Sequence, residues 1–256
     1  MLLVRRGAPD GGYFNDGDRA AGVFGVLATG FAILLGFVVF LAFTTYDTSR
    51  GGAELEALTV AQQFETAQSL PDDVSLRLSK ELVCYGRSVV HREWPRMETG
   101  TEGDAINPWG TALFETLRTT DPRSATEQAA YGKWLDQTSD REEARRDRIH
   151  GAVGIIPGSV WLVLGLTAAV LFVYMLFFAD RAELARSQAM LIASATTVVV
   201  VTLLAIDALD HPYRRGVGHI HPVAMERALR QIDKARAVIK DRSPEPCNAN
   251  GQPARA

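Results

Sequence analysis

The stretch AAGVFGVLATGFAILLGFVVFLAFTTY, residues 20–46, carries no charged side chain. Wound as a helix at about 1.5 Å per residue, it exceeds the roughly 30 Å hydrocarbon thickness of a bilayer. Two further uncharged runs follow, at 151–179 and 187–206. A segment in lipid satisfies its backbone hydrogen bonds internally, so the three runs are expected to be helices. The chain therefore reads as all-α. It is a helical integral membrane protein with transmembrane helices at 20–46, 151–179 and 187–206. Residues 1–19 form a flexible N-terminus, 47–150 a helical cytosolic domain, 207–241 a cytosolic helical tail and 242–256 a disordered C-terminus.

The chain has 256 residues and a formal net charge of −3. That balance offers no basic field for a nucleic acid. Cys84 and Cys247 lie far apart and in no CxxC pattern, so they read as free thiols in a reducing compartment. The first span is too long for a signal-peptide apolar region, and Asp10, Asp16 and Asp18 stand among the arginines before it.

Three crossings put 47–150 and the tail on one side. Near the span ends, Arg50, Lys133, Arg141, Arg145, Arg146, Arg148, Arg214 and Arg215 face Arg5, Arg6, Arg19, Arg181 and Arg186. This excess, with the unpaired cysteines, favours a cytoplasmic domain and tail.

Leu55, Leu58, Val60, Ala61 and Phe64 recur at helical spacing, and no stretch of 47–150 shows sustained two-residue alternation, so this domain reads as all helical. Gly51-Gly52 allows a hinge after the first span. Pro71, with Asp72 and Asp73 behind it, opens a helix that runs to about Trp94, where Pro95 ends it. A shorter helix is expected at 107–119. The polar segment 122–150 reads as a surface helix running into the second span. There Pro157 should bend the helix, and Gly154 and Gly158 form a close-approach pair. In the third span Ser194, Thr196, Thr197 and Thr202 can bond back to the helix carbonyls. An amphipathic helix is expected at 222–241.

No catalytic constellation is present, and the chain does not read as an enzyme. His219-x-His221 is the only close histidine pair; no further ligand follows at metal spacing, so an exposed loop is the plainer reading and no metal or cofactor is expected. Glu54 and Glu56 could attract cations, or simply form a helix charge pair. Asp207 and Asp210 mark the end of the third span. Thr29, Ile33 and Phe37 share one face of the first span at i, i+4 and i+8. Copies of that face around an axis would stack apolar rings, although such side chains equally suit lipid or a neighbouring helix.

Three places resemble the bestrophin-like family of bacterial membrane proteins, distant relatives of the bestrophin channels. Leu35-Gly36-Phe37, Thr45-Tyr46-Asp47-Thr48-Ser49-Arg50 and Glu54-Leu55-Glu56-Ala57-Leu58 look like its pore helix and the stretch after it. Tyr85, Val89-Val90 and Glu93-Trp94-Pro95 are similar to a second family segment. Leu209-Asp210-His211-Pro212-Tyr213-Arg214-Arg215-Gly216 resembles the turn after the last span. In order and position these cover about 30–235.

The resemblance implies a homo-oligomeric ion channel of the bacterial plasma membrane, a pentamer in bestrophins. Its apolar neck would be Thr29, Ile33 and Phe37, a constriction able to gate ions by dewetting. The mouth charges would be Asp47, Arg50, Glu54 and Glu56. Its partners would be the lipid bilayer, inorganic ions and further copies of the chain. The chain departs from bestrophins in showing three spans rather than four. Arg214, Arg215, His219 and His221 stand where eukaryotic members carry calcium-binding acids, and Tyr213 replaces the usual Phe. The rival reading is a non-conducting scaffold or accessory subunit, whose 122–150 and 222–241 helices bind a protein on the cytosolic side.

Overall fold

The computed structural model describes every residue except 1, 8, 10–12, 102–106, 180–183, 217, 242 and 255–256. Among the described residues the regular elements are helices: α1 (Leu2–Gly7), α2 (Gly17–Ala67), α3 (Asp72–Ser88), a π-helical turn (Val89–Glu93), α4 (Trp94–Glu98), α5 (Pro108–Arg118), α6 (Ala125–His150), α7 (Gly158–Phe177), α8 (Ala185–Asp210) and α9 (Val223–Val238). Three of them, α2, α7 and α8, are long and apolar enough to cross a membrane. The protein is an all-α integral membrane protein.

The chain divides into two compact units, Met1–Thr44 with Ile155–Asp210, and Thr45–Gly154 with His211–Ala256. In the first, Phe31, Val38 and Ala42 of α2 pack with Leu164 and Leu171 of α7 and Ile206 of α8. Among the described residues of the N-terminal segment, expected to be flexible, Tyr13 and Phe14 are engaged here. Tyr13 Oη donates to Val4 O at 2.7 Å, and the ring of Phe14 lies 5.5 Å from that of Tyr174. Aromatic rings can anchor a segment that carries no apolar period of its own. Thr196 and Thr202 donate to carbonyls four residues back, as their position in an apolar helix favours.

Pro157 precedes α7 rather than bending it, since proline suits a helix start, where its missing N–H is not needed. Gly154 thus lies outside the helix, and the expected close-approach pair with Gly158 does not form on a helix face. The chain breaks at 151–157, so α6 does not run into α7.

In the second unit the core gathers one face of α2 (Ala53, Ala57, Val60, Phe64) with α3, α5, α6 and α9. Gly51-Gly52 is no hinge: α2 runs through it unbroken. A Cβ on Gly52 would lie 2.6 Å from Arg148 N and 2.7 Å from Ala144 O. Glycine there lets the α6 backbone come close. Capping is local: Ser124 and Glu127 form a reciprocal box at the start of α6.

Pro95 does not end its helix. The π-helical turn widens the spacing, with Trp94 N–H bonded to Val89 O, and the chain enters α4 with Pro95 in its first turn. A regular helix would press the proline ring onto the carbonyl four residues back.

Two further expectations are corrected. Cys84 and Cys247 are not free: they form a disulfide across 163 residues of sequence. No spacing rule exposes such a pair, because tertiary packing alone brings α3 and the tail together. Nor is the C-terminal segment disordered through its described residues. It folds on the second unit, with Cys247 bridged to Pro253 and Trp109 Nε1 donating to Gly251 O at 2.7 Å.

Candidate functional site

The first span exposes one side and buries the other. Phe31, Val38 and Ala42 face the core of their unit at 4%, 3% and 0% exposure, whereas Ile33 and Phe37 stand 70% and 60% exposed. Thr29 is exposed as well. The three share a helical face turned away from their own unit's core, an apolar surface that α7 and α8 leave uncovered. Phe40 and Val26 extend it at 64% and 74% exposure.

Within the second unit the α2 residues singled out as mouth charges separate. Asp47, Arg50 and Glu54 are exposed, and Arg50 Nε pairs with Glu54 Oε1 at 3.2 Å. Glu56 is fully buried instead. Two residues along a helix is a rotation of about 200°, which turns Glu56 to the opposite face from Glu54.

Around Glu56 lies a buried ionic network. Arg148 Nε and Nη2 hold its two carboxylate oxygens, and Tyr85 Oη donates to Oε1 at 2.6 Å. Arg148 Nη2 also donates to Glu93 Oε2 at 2.8 Å, and Arg145 Nη1 reaches the same oxygen at 2.5 Å. Asn107 Nδ2 donates to Glu93 Oε1 at 2.8 Å. Two carboxylates and two guanidiniums balance in charge.

Burial by itself raises the carboxyl of Glu93, but Arg148 and then Arg145 outweigh it and hold the group below the usual carboxylate range. Burial, followed by the charge of Glu56, pushes the Tyr85 phenol well above its ordinary value, so it stays a donor. Arg141 completes the row: Nη1 donates to Gln63 Oε1 at 2.9 Å, and its guanidinium lies 4.9 Å over the Tyr85 ring.

The motif residues of the Glu93-Trp94-Pro95 segment and the 209–216 turn converge on this network. Trp94 Nε1 donates to Ile220 O at 3.2 Å, and its ring meets Tyr213 edge-on at 5.4 Å. Tyr213 Oη donates to Arg148 O at 2.7 Å. Tyr46 Oη donates to Gly218 O at 2.9 Å. Pro212 is buried against Gly151, while Pro95 is exposed. Asp210 acts in the membrane unit: Oδ1 accepts from Ile155 and Ile156 N–H at 2.9 and 3.1 Å, and Trp161 Nε1 reaches Oδ2 at 3.5 Å. It is buried and satisfies backbone donors, which is more than a lipid-boundary marker does.

Sequence reasoning missed Arg145 and Arg148, treating their helix as a surface element. The signal was present in Arg141, Arg145 and Arg148, at i, i+4 and i+7 on one face of α6. The rings of His219 and His221 lie 3.8 Å apart, and His219 Nδ1 is 2.6 Å from Gly216 O. Among the described residues no three His, Cys, Asp or Glu side chains gather as metal ligands.

A family model described as the Bestrophin-like domain matches residues 2–225. No curated protein matches the chain in sequence. Among solved structures, a bacterial bestrophin homolog from Klebsiella pneumoniae superposes with a TM-score of 0.66 at 16% identity, over 83% of this chain and 87% of that one. Single-substitution variants of that homolog give 0.66 at 15% identity, over 84% and 88%, and 0.65 at 15%, over 83% and 87%. At these identities the likeness speaks for the fold.

Proposed function

We propose that this chain, which belongs to the bestrophin-like family, assembles with copies of itself into a passive ion channel. The observation that carries this reading is the exposed apolar face of the first span. Ile33 and Phe37 point away from their own unit's core and are the residues a symmetric assembly would gather on its axis. Rings of Thr29, Ile33 and Phe37 form a neck that shuts when it dewets. A pentamer is the assembly the family supports. Asp47, Arg50 and Glu54 are the exposed charges available to an ion at the mouth. Glu56 belongs to the internal network and is assigned no such role.

The second unit and the tail lie on the cytoplasmic side of a bacterial plasma membrane in this reading. The Lys and Arg near the span ends support that placement. The cysteines lend no support, because they are paired. The scaffold reading loses part of its support: Trp134 and Ala130 of α6 and Met225 and Ile232 of α9 lie in the core of their own unit, while Leu135, Val223 and Val238 stay exposed.

The test is reconstitution of the purified protein in planar bilayers, with its mass in detergent measured in parallel. A symmetric ring with unitary currents is expected. A monomer, or a ring silent to both cations and anions in wild-type and neck-opened forms, overturns the channel.

A further inference from the structure

The C-terminal segment closes as a clasp. Asn248 N–H donates to Gln252 O and Ala254 N–H to Pro246 O, each at 2.9 Å. Gly251, at φ +72°, seats against the backbone of α3, where a Cβ would collide with Ser88 N and lie 2.7 Å from Ser88 Cα. Only glycine suits both that φ and that approach. Arg236 of α9 holds Asp241 at 2.9 Å and Glu245 at 2.6 Å, and Arg87 of α3 reaches Glu245 at 3.5 Å. One covalent tie joins the clasp to α3, the Cys84–Cys247 bond.

Both cysteines belong to the core of the second unit, Cys84 at 0% exposure and Cys247 at 8%. Arg87 Nη1 stands 3.9 Å from Cys247 Sγ, a cation placed to stabilise a thiolate there.

The structure assigns to Cys84 and Cys247 a reversible dithiol–disulfide site, at which a dithiol reductant releases the C-terminal clasp. A thiolate of the reductant attacks Cys247 Sγ. A mixed disulfide forms as the bond to Cys84 breaks, and Cys84 leaves as a thiolate that takes up a proton. The reductant's second thiol gives up its proton and attacks its own sulfur of the mixed disulfide. Cys247 is released as a thiolate beside Arg87. The reductant ends as a disulfide, and the chain has gained two electrons. Because α3 passes from Cys84 through Ser88 into the π-helical turn, the clasp braces the backbone that presents Glu93 to the ionic network. This site stands independently of ion conduction.

The full chain, purified in detergent without reductant, tests it. A maleimide polymer added after denaturation should label neither cysteine before, and both after, the folded protein is treated with dithiothreitol. Trypsin cleavage after the exposed Lys240, quenched and read by mass spectrometry on fully reduced peptides, should quicken about tenfold or more on reduction. Cys247→Ser should show the fast rate without reductant while its helical circular dichroism stays unchanged. Two labelled cysteines before any reductant, a pair that excess dithiothreitol leaves closed in the folded protein, or a tail equally protected in both states would each overturn the site.

Discussion

Arg148 and Glu56, 92 residues apart in sequence, meet in a two-point ion pair with neither side chain exposed to solvent. The pair joins α6 to α2 inside the second unit; Glu93 and Tyr85 add further hydrogen bonds, and Arg148 Nη1 lies 3.4 Å from Met97 Sδ. Buried charges cost several kcal/mol to desolvate, so such a pair survives only when its hydrogen bonds are complete. Removing one partner strands the other. Arg148→Met and Glu56→Leu should each destabilise the second unit by about 3–5 kcal/mol. The double variant should lose less than the two single losses added together, as denaturant unfolding in detergent would measure. Additive losses would mean that the pair is not coupled.

Glu93 makes stability depend on acid. Its carboxyl is held below the ordinary 4.5 by Arg148 and Arg145 despite burial. Its contribution is therefore fully present above about pH 4.5 and is lost as pH falls through the lower folded value. Thermal unfolding followed from pH 7 to 3 should show a loss of stability below pH 4.5. Glu93→Gln should be less stable at pH 7 and show a shallower acid limb. An unchanged limb would place the acid sensitivity elsewhere.

Neighbouring glycines of α2 should respond in opposite directions. A Cβ on Gly52 meets the α6 backbone at 2.6 Å, whereas one on Gly51 meets nothing within 4 Å. Gly52→Ala should cost about 1–3 kcal/mol, because backbone cannot move aside as a side-chain tip can. Gly51→Ala should stabilise by about 0.5–1 kcal/mol through helix propensity. Equal effects at both sites would deny the close approach.

The neck predicts a gain of function. With Ile33→Ala and Phe37→Ala together, the apolar constriction widens and holds water. Open probability in reconstituted bilayers should rise several-fold, with the assembly's mass unchanged. Phe31→Ala, on the buried face of the same helix, should instead destabilise by about 3–5 kcal/mol and produce no leak of this kind. A wild-type current profile in the double variant would remove these side chains from the gate.

Much of the fold was legible from residue order. Uncharged runs of span length admit only helices in lipid, and that constraint is local to each run. The face shared by Thr29, Ile33 and Phe37 follows from helical spacing, as do the helices at 107–119 and 222–241. The motif segments were legible as family stretches, but what they do was not. Trp94, Tyr213 and Arg148 meet because three separate elements pack together, and no window of sequence contains them all.

The sequence alone therefore determined the solvent, the helical class and the apolar face of the first span, because each depends on the composition and period of one continuous segment. Tertiary structure decided that Glu56 is an interior anchor while Glu54 is a surface charge, that Arg141 and Arg148 of α6 are buried, and that Cys84 finds Cys247. Burial and pairing belong to groups that meet across long stretches of chain, and a charged or thiol side chain does not itself reveal whether a partner will reach it.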